Sequence, residues 1–312
     1  MGIEDKKKAV NLGFIIPTMN RPKELNRLLQ SIYEQPVKPS TLVIVDSSQT
    51  PVESGLLKDD SVKIIYKHVL PPGLTKQRNI GISLLPSYLT HVGFLDDDLV
   101  LLEGSSAELL DFLENDKSDV GGVSFNIIDS NFTKKSLLAF LKRSLGQIGK
   151  QYGKITQGGS VLPNMNLKET IDTQWLCGGA TVWKKSVFDT FKYDEWYQGY
   201  ALWEDIDFSY RVSQKHRLVV LAKSKVNHLH IVNHSPTNFR YLGDVEVVDR
   251  FHFVMKHIKN FSYLAAIYAG LGTFILNLLM ALKTRKLIFL TRAKSNFMAL
   301  CRCAAGRIQR VG

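Results

Sequence analysis

The sequence predicts an α/β protein: a parallel sheet covered by helices on both faces, followed by a helical, basic and apolar C-terminal extension. Three observations predict it. Short apolar runs alternate with stretches of helical periodicity between residues 12 and 230. Several of those runs stop at polar or acidic residues, at Pro17-Thr18, Asp46-Ser47 and Asp96-Asp97-Asp98. The charge is segregated: the chain carries +11, yet residues 251–312 hold ten Lys/Arg and no Asp/Glu, and the first 250 residues are nearly balanced.

Leu12–Ile16 is the first strand, stopped by Pro17-Thr18-Met19-Asn20. Asn20 is placed to cap a helix with Pro22 in its first turn, where Leu25, Leu28, Leu29 and Ile32 recur at helical spacing. Thr41–Val45 and Val62–Tyr66 are strands, and Thr75–Leu85 is a helix after Pro71-Pro72-Gly73. His91–Leu95 is a strand running into the three aspartates, Ser105 or Ser106 starts a helix through Leu113, and Val120–Ile127 is the next strand. Residues 130–168 break the rhythm with five glycines, seven Lys/Arg and no acid. That composition suits a basic insertion, either a flap or acceptor-binding element or a solvated surface excursion. The strand pattern resumes at Gln174, passes Cys177-Gly178-Gly179-Ala180 and continues through Thr181–Trp183. Asp205–Gln214 is helical, Leu218–Leu221 and Lys225–His230 are strands, and Asn238–Ile258 is a helix. Ligands of such sheets bind beyond the carboxyl ends of the strands, so the strand-end motifs are expected to converge on one crevice.

At 312 residues and 45% hydrophobic content the chain has ample material for a core and is not of disordered composition. Phe261–Leu282 is a run of 22 residues without formal charge. As a helix it reaches about 33 Å, close to the bilayer hydrocarbon thickness. Lys256 and Lys259 precede it and Lys283, Arg285 and Lys286 follow. It reads as a helix lying in the membrane surface, a span, or a buried helix; Ser262, Gly270, Gly272, Thr273 and Asn277 weigh against a span. The charged opening Met1–Val10 has no secretory pattern, and Lys6 breaks the myristoylation motif. Three cysteines, Cys177, Cys301 and Cys303, make no closed disulfide framework and favour a reducing compartment. No G-x-G-x-x-G loop follows the first strand and no Walker A motif is present, which disfavours dinucleotide and P-loop chemistry.

Two acidic clusters carry the chemistry. Carboxylates beside apolar strand residues are costly to bury unless something positive neutralises them. Asp96-Asp97-Asp98 suits one divalent cation completed by substrate phosphates and water, although acidic loops that bind nothing are common. Asp205, near a helix N-terminus, is placed to stay ionised and act as a base, or merely to cap that helix together with Glu204. His228, His230 and His234 follow, and either of the first two can supply a metal nitrogen.

The ordered set Ile16-Pro17-Thr18-Met19-Asn20-Arg21, Val45-Asp46-Ser47-Ser48, Gly73-Leu74-Thr75-Lys76-Gln77-Arg78-Asn79-Ile80-Gly81, Leu95-Asp96-Asp97-Asp98 and Glu204-Asp205-Ile206-Asp207 resembles glycosyltransferase family 2. The resemblance covers about residues 11–235. It implies the GT-A fold, a Rossmann-like, mixed, mostly parallel sheet flanked by helices. Residues 1–235 would then be the nucleotide-sugar-binding and catalytic domain, with 130–168 as a basic insertion, and 236–312 a membrane-associating extension. It also implies inverting transfer from a nucleoside-diphosphate sugar, UDP or dTDP preferred because Asp46 resembles the carboxylate that reads a pyrimidine imide. By the same resemblance Pro17, Thr18, Asn20 and Arg21 line the nucleotide pocket, and Arg78 with Asn79 lies near base or diphosphate. Asp96 and Asp97 fall at the sugar-nucleotide, with Asp97 facing the ribose. Asp98 binds Mn²⁺ or Mg²⁺ with His228 or His230, and Asp205 with Glu204 supplies the base. Similar bacterial enzymes of surface-polysaccharide assembly act on glycan or lipid-linked acceptors at the inner face of the cell membrane. A cytoplasmic, membrane-peripheral protein with no nucleic-acid partner is therefore expected. The rival readings are a polyprenyl-phosphate sugar synthase of the same fold, a nucleotidyl transferase, and a non-enzymatic membrane- or nucleic-acid-binding protein.

Overall fold

A computed structural model of the chain describes residues 9–53, 55, 61–116, 118–129, 137–229 and 236–310. The chain divides into two compact units. The first contains Met1–Asp129, Asn164–Tyr200 and Glu204–His230; the second contains Ser130–Pro163, Ala201–Trp203 and Ile231–Gly312. Residues 137–163 of the basic stretch thus cluster with the C-terminal helices.

The first unit opens with β1 (Leu12–Thr18), α1 (Pro22–Tyr33), β2 (Thr41–Asp46), β3 (Lys63–His68), α2 (Leu74–Ser83) and β4 (His91–Leu95). It continues with β5 (Leu99–Leu101), α3 (Ser105–Asn115) and β6 (Val120–Ile128). In the second unit α4 spans Leu137–Ser144. The sheet is then completed by β7 (Ile171–Thr173) and β8 (Ala180–Lys184), followed by the short α5 (Val187–Thr190), α6 (Glu204–Ser213) and β9 (Arg217–His228). Strand order is β3-β2-β1-β4-β8-β6-β9-β5, with β7 also on β9. Every residue of β1 and of β2 is buried, as expected of parallel strands covered on both faces.

The sheet is mixed, and less parallel than expected. Strands β3, β2, β1 and β4 are parallel, but β8 enters antiparallel between β4 and β6, and β5 and β7 pair antiparallel with β9. Both reversals build the site. Ala180 at the start of β8 lies opposite Leu95 at the end of β4, and Leu99 at the start of β5 lies opposite His228 at the end of β9. One strand, β9, replaces the two expected there. Its ladder with β6 shifts register at Phe125/Asn126. Buried Asn126 is bonded at that shift, donating to the carbonyls of Leu167 and Ala222 and accepting from Leu167 N–H. Asn20 does not cap α1: the N-cap position falls on Arg21 without a side-chain bond, and Asn20 Oδ1 accepts from Gln49 N–H at 3.0 Å.

In the second unit, α7 (Pro236–Lys256), α8 (Tyr263–Thr284) and α9 (Leu287–Ala304) pack on one another. Gly243 allows α7 to cross α9 closely, since a Cβ there would lie 2.6 Å from the Arg292 carbonyl. Glu246 accepts from Arg292 and Asn296, and Asn296 Oδ1 accepts from Asn277 of α8 at 2.8 Å. Asp244 pairs with Arg302 and buried Asp249 with Arg310. Three of the tail's basic residues therefore neutralise acids inside this unit. The three cysteines are free thiols.

Candidate active site

The carboxyl ends of β1 and β2 are tied together by one side chain. Gln77 of α2 donates to Thr18 O at 3.0 Å and to Val45 O at 2.8 Å. Asp96 N–H then donates to Gly179 O at 2.9 Å, joining the aspartate turn to the start of β8.

Around this frame the acidic turn faces cations. Asp97 accepts from Thr18 Oγ1 at 2.7 Å and from Arg21 at 3.1 Å. Burial pushes its carboxyl up to about 6 against these two partners. Arg21 also reaches Asp98 Oδ2 at 3.0 Å, and His228 Nε2 lies 3.2 Å from Asp98 Oδ1. Burial works to raise Asp98, but His228 and Arg21 prevail and hold it below the usual carboxylate range. The hydrogen bond to Asp98 in turn raises His228.

The second acidic cluster meets the first through Arg78. This guanidinium is 1% exposed, 3.0 Å from Glu204 Oε1 and 3.4 Å from Asp96 Oδ1, and lies over the rings of Tyr193 and Phe94. Burial opposes its charge, but Tyr193, Asp96 and Glu204 keep it protonated. Glu204 is buried, and Asp205 beside it is half-buried. Asp205 Oδ2 accepts from Gly178 N–H at 3.1 Å and Oδ1 from Ile206 N–H at 2.7 Å. Desolvation and the adjacent Asp205 carboxylate push Glu204 up to about 8. Desolvation also raises Asp205, against the Gly178 N–H and the Arg78 charge.

The glycines of Cys177-Gly178-Gly179 have a steric reason. A Cβ on Gly178 would lie 2.8 Å from Asp205 Cβ and 2.9 Å from Arg78 Nη1, and one on Gly179 would lie 2.0 Å from Asp96 Oδ2. Their absence lets Asp96, Arg78 and Asp205 close around the same backbone. Burial raises the Cys177 thiol, which leaves it an inert packing group.

Of the residues expected from sequence, Thr18, Arg21, Asp97, Asp98 and His228 form one bonded cluster, and Asp96, Arg78 and Glu204 a second. Asp96 connects them through the aspartate turn. Four others do different work in this conformation. Asp46 is buried and accepts from Ser48 N–H, Val52 N–H and the Tyr66 hydroxyl, which organises the turn after β2. Asn79 bonds both backbone groups of Tyr193 and Glu195 Oε1, which fixes the loop carrying Tyr193. Pro17 is buried within β1 opposite Val45, and Asn20 bonds the turn at Ser48 and Gln49. His230 and His234 lie outside the described residues.

Among the described residues no three His, Cys, Asp or Glu side chains group as a ready metal cage. Asp98 and His228 are nevertheless adjacent, an oxygen and a nitrogen donor 3.2 Å apart. Such a pair suits a hard divalent ion that brings most of its ligands as phosphate and water. The roles of Gln77, Tyr193 and the Gly178 N–H are not legible in the sequence, because each acts on a residue remote along the chain.

A comparison with curated proteins gave no match. Among solved structures, the chain is similar to GalNAc-T7, crystallised with UDP, GalNAc and Mn²⁺, at TM-score 0.53 and 17% identity. That match covers 77% of this chain and 48% of the other, so the chain spans about half the length of GalNAc-T7. It is also similar to S. aureus TarS 1-349 at TM-score 0.50 and 15% identity, over 95% of this chain and 92% of that one. At these identities the likeness establishes the GT-A fold alone. The sequence model described as Glycosyl transferase family 2 matches residues 14–176, just over half of the 312, and the chain belongs to that family.

Proposed function

We propose that this glycosyltransferase is inverting and metal-dependent, moving a sugar from a UDP or dTDP donor to a hydroxyl of a glycan or lipid-linked glycan. The observation that carries the proposal is Asp205, a half-buried residue whose carboxylate is held by Gly178 N–H one residue from the Arg78-bound Glu204. Arg78 links that pair to the aspartate turn through Asp96. In the proposed reaction Asp205 takes the proton of the acceptor hydroxyl. The acceptor oxygen bonds to the anomeric carbon as the bond from that carbon to the diphosphate oxygen breaks on the opposite side. Inversion follows from a single displacement. The raised proton affinity of Asp205 suits a base working near neutral pH. Arg21 lies beside Asp97 and Asp98, where a diphosphate would meet a guanidinium. Asp98 and His228 would hold Mn²⁺ or Mg²⁺, which when bound supplies positive charge to the departing diphosphate. The UDP and Mn²⁺ of the GalNAc-T7 crystal structure support this donor and metal class.

The C-terminal unit is read as the part that meets the cytoplasmic membrane surface. Among the described residues α8 is the helix long and apolar enough to cross a bilayer, and basic residues follow it. The test of the reaction is a donor screen with Mn²⁺ or Mg²⁺, scoring nucleoside diphosphate release and the anomeric configuration of the product. Release of nucleoside diphosphate with inversion is expected. Pyrophosphate release or retention contradicts the proposal.

A further inference from the structure

The second unit presents an apolar surface that its own helices leave uncovered. Leu264, Tyr268, Leu271, Ile275, Leu279 and Leu282 are all exposed, from 40% at Ile275 to 77% at Leu282. Their spacing of three and four residues places them on one stripe of α8. The opposite stripe, with Ala266, Ala269, Thr273 and Asn277, is buried. Asn277 donates to Asn296, and Thr273 Oγ1 bonds Gln147 Oε1 at 2.7 Å. A helix anchored along one side by amides within its own bundle does not traverse a bilayer alone; it offers one face. Leu137 and Phe140 of α4 are likewise exposed, at 76% and 63%. The turn after α4 sits on α8, with the Tyr268 hydroxyl on the Ser144 carbonyl and Gln147 on the Ala269 carbonyl.

Beside this stripe opens a cavity of about 410 Å³ whose lining includes Arg143, Lys150, Lys154, Ile148, Ile155 and Tyr268. Among the described residues no Asp or Glu lines it. Tyr268 belongs to both features, so the cationic cavity adjoins the apolar stripe directly. Lys283, Arg285 and Lys286 are exposed at the far end of the stripe. An apolar face joined to a cation-lined cavity matches a lipid with an anionic head: chains against the stripe, phosphate against the cavity.

We infer that this face lies in the plane of an anionic bilayer, with the Arg143–Lys150–Lys154 cavity receiving a lipid phosphate. This deepens the membrane-surface reading and rests on it, but not on the chemistry assigned to Asp205. The full chain is sedimented with phosphatidylcholine vesicles, with and without phosphatidylglycerol, at low and high salt. Binding is expected only to the anionic vesicles and is released by salt. Leu271→Asp with Ile275→Asp abolishes it at unchanged circular dichroism, because both positions are exposed. Lys150→Ala with Lys154→Ala weakens it by about thirty-fold, from roughly 1 kcal/mol per surface cation. Equal binding to neutral vesicles, no binding, retention until detergent is added, or loss of a self-associated species in the aspartate variant overturns the inference. An unchanged affinity in the lysine variant overturns it also. Asp205→Asn binds vesicles like the wild type, so failure of the surface and failure of the transferase reading are seen separately.

Discussion

Replacing Arg78 by methionine tests the link between the two acidic clusters. The guanidinium is 1% exposed and lies 3.0 Å from Glu204, whose side chain is 7% exposed. Methionine keeps most of the stem and can still contact the rings of Tyr193 and Phe94. It leaves a buried carboxyl pair without its cation. Where Glu204 is ionised, removing one partner of this buried pair costs about 3–5 kcal/mol, a large part of a domain's whole stability. At about 2–4 °C per kcal/mol, the melting temperature should fall by roughly 6–20 °C. The sign with pH is fixed by the folded carboxyls. Glu204 already holds its proton up to about 8, above its unfolded value, and loss of the cation raises it further. An acid raised on folding favours the folded state while protonated and loses that favour as pH rises through the folded value. The penalty of Arg78→Met is therefore greatest above about pH 8 and shrinks toward acid pH. Thermal unfolding of Arg78→Met, Glu204→Gln and the double variant at both pH extremes measures this. The double variant should recover most of the loss, because an amide needs no counter-charge. At the alkaline extreme, a single variant within about 1 kcal/mol of wild type, or a double variant no better than the single, would refute the argument.

Asp205→Asn should reduce turnover by about 10²–10⁴ and leave nucleotide binding nearly intact, measured by product release and calorimetry. In the wild type the rate should decline on the acid side at a pH above that of an ordinary aspartate, since the base is raised; an acid limb at the ordinary position contradicts this. Asp98→Asn should weaken Mn²⁺-dependent nucleotide binding and make the remainder insensitive to chelator. Retained metal dependence would remove Asp98 from that role. Gly179→Ala forces a methyl to within 2.0 Å of Asp96 Oδ2. It should cost about 1–3 kcal/mol in thermal unfolding and weaken donor binding, and a silent substitution would show that the turn is looser than described.

The central strands were legible because β1 and β2 are continuous apolar runs ending at Thr18 and Asp46, and burial on both faces demands such runs. Their neighbours were less legible. β5 has three residues, too few for periodicity, and the direction of β8 is a property of pairing that no local pattern contains. The sequence pattern divides β9 at Ala222-Lys223-Ser224, yet Lys223 and Lys225 are exposed while Ser224 is buried, so the alternation of one strand continues. α9 was not read as a separate helix, because its polar buried positions, Ser295 and Asn296, act through the partners Arg240 and Gly243 of α7. In the site, the acids announced themselves by lying beside apolar strands. What positions them did not: Gln77 acts on residues 18 and 45, and Gly178 acts on residue 205. The residue types of Asp46 and Asn79 suit ligand groups; what local pattern does not show is that in the fold they also bond nearby backbone, Tyr66 and Glu195.

The account stands on one donor lying between the aspartate turn and Asp205. A crystal structure of Asp205→Asn with a UDP-sugar and Mn²⁺ tests that most directly. The account predicts the diphosphate beside Asp98, His228 and Arg21, with the anomeric carbon turned toward residue 205. A sugar nucleotide bound elsewhere, or bound there with its anomeric carbon facing away from residue 205, would contradict it.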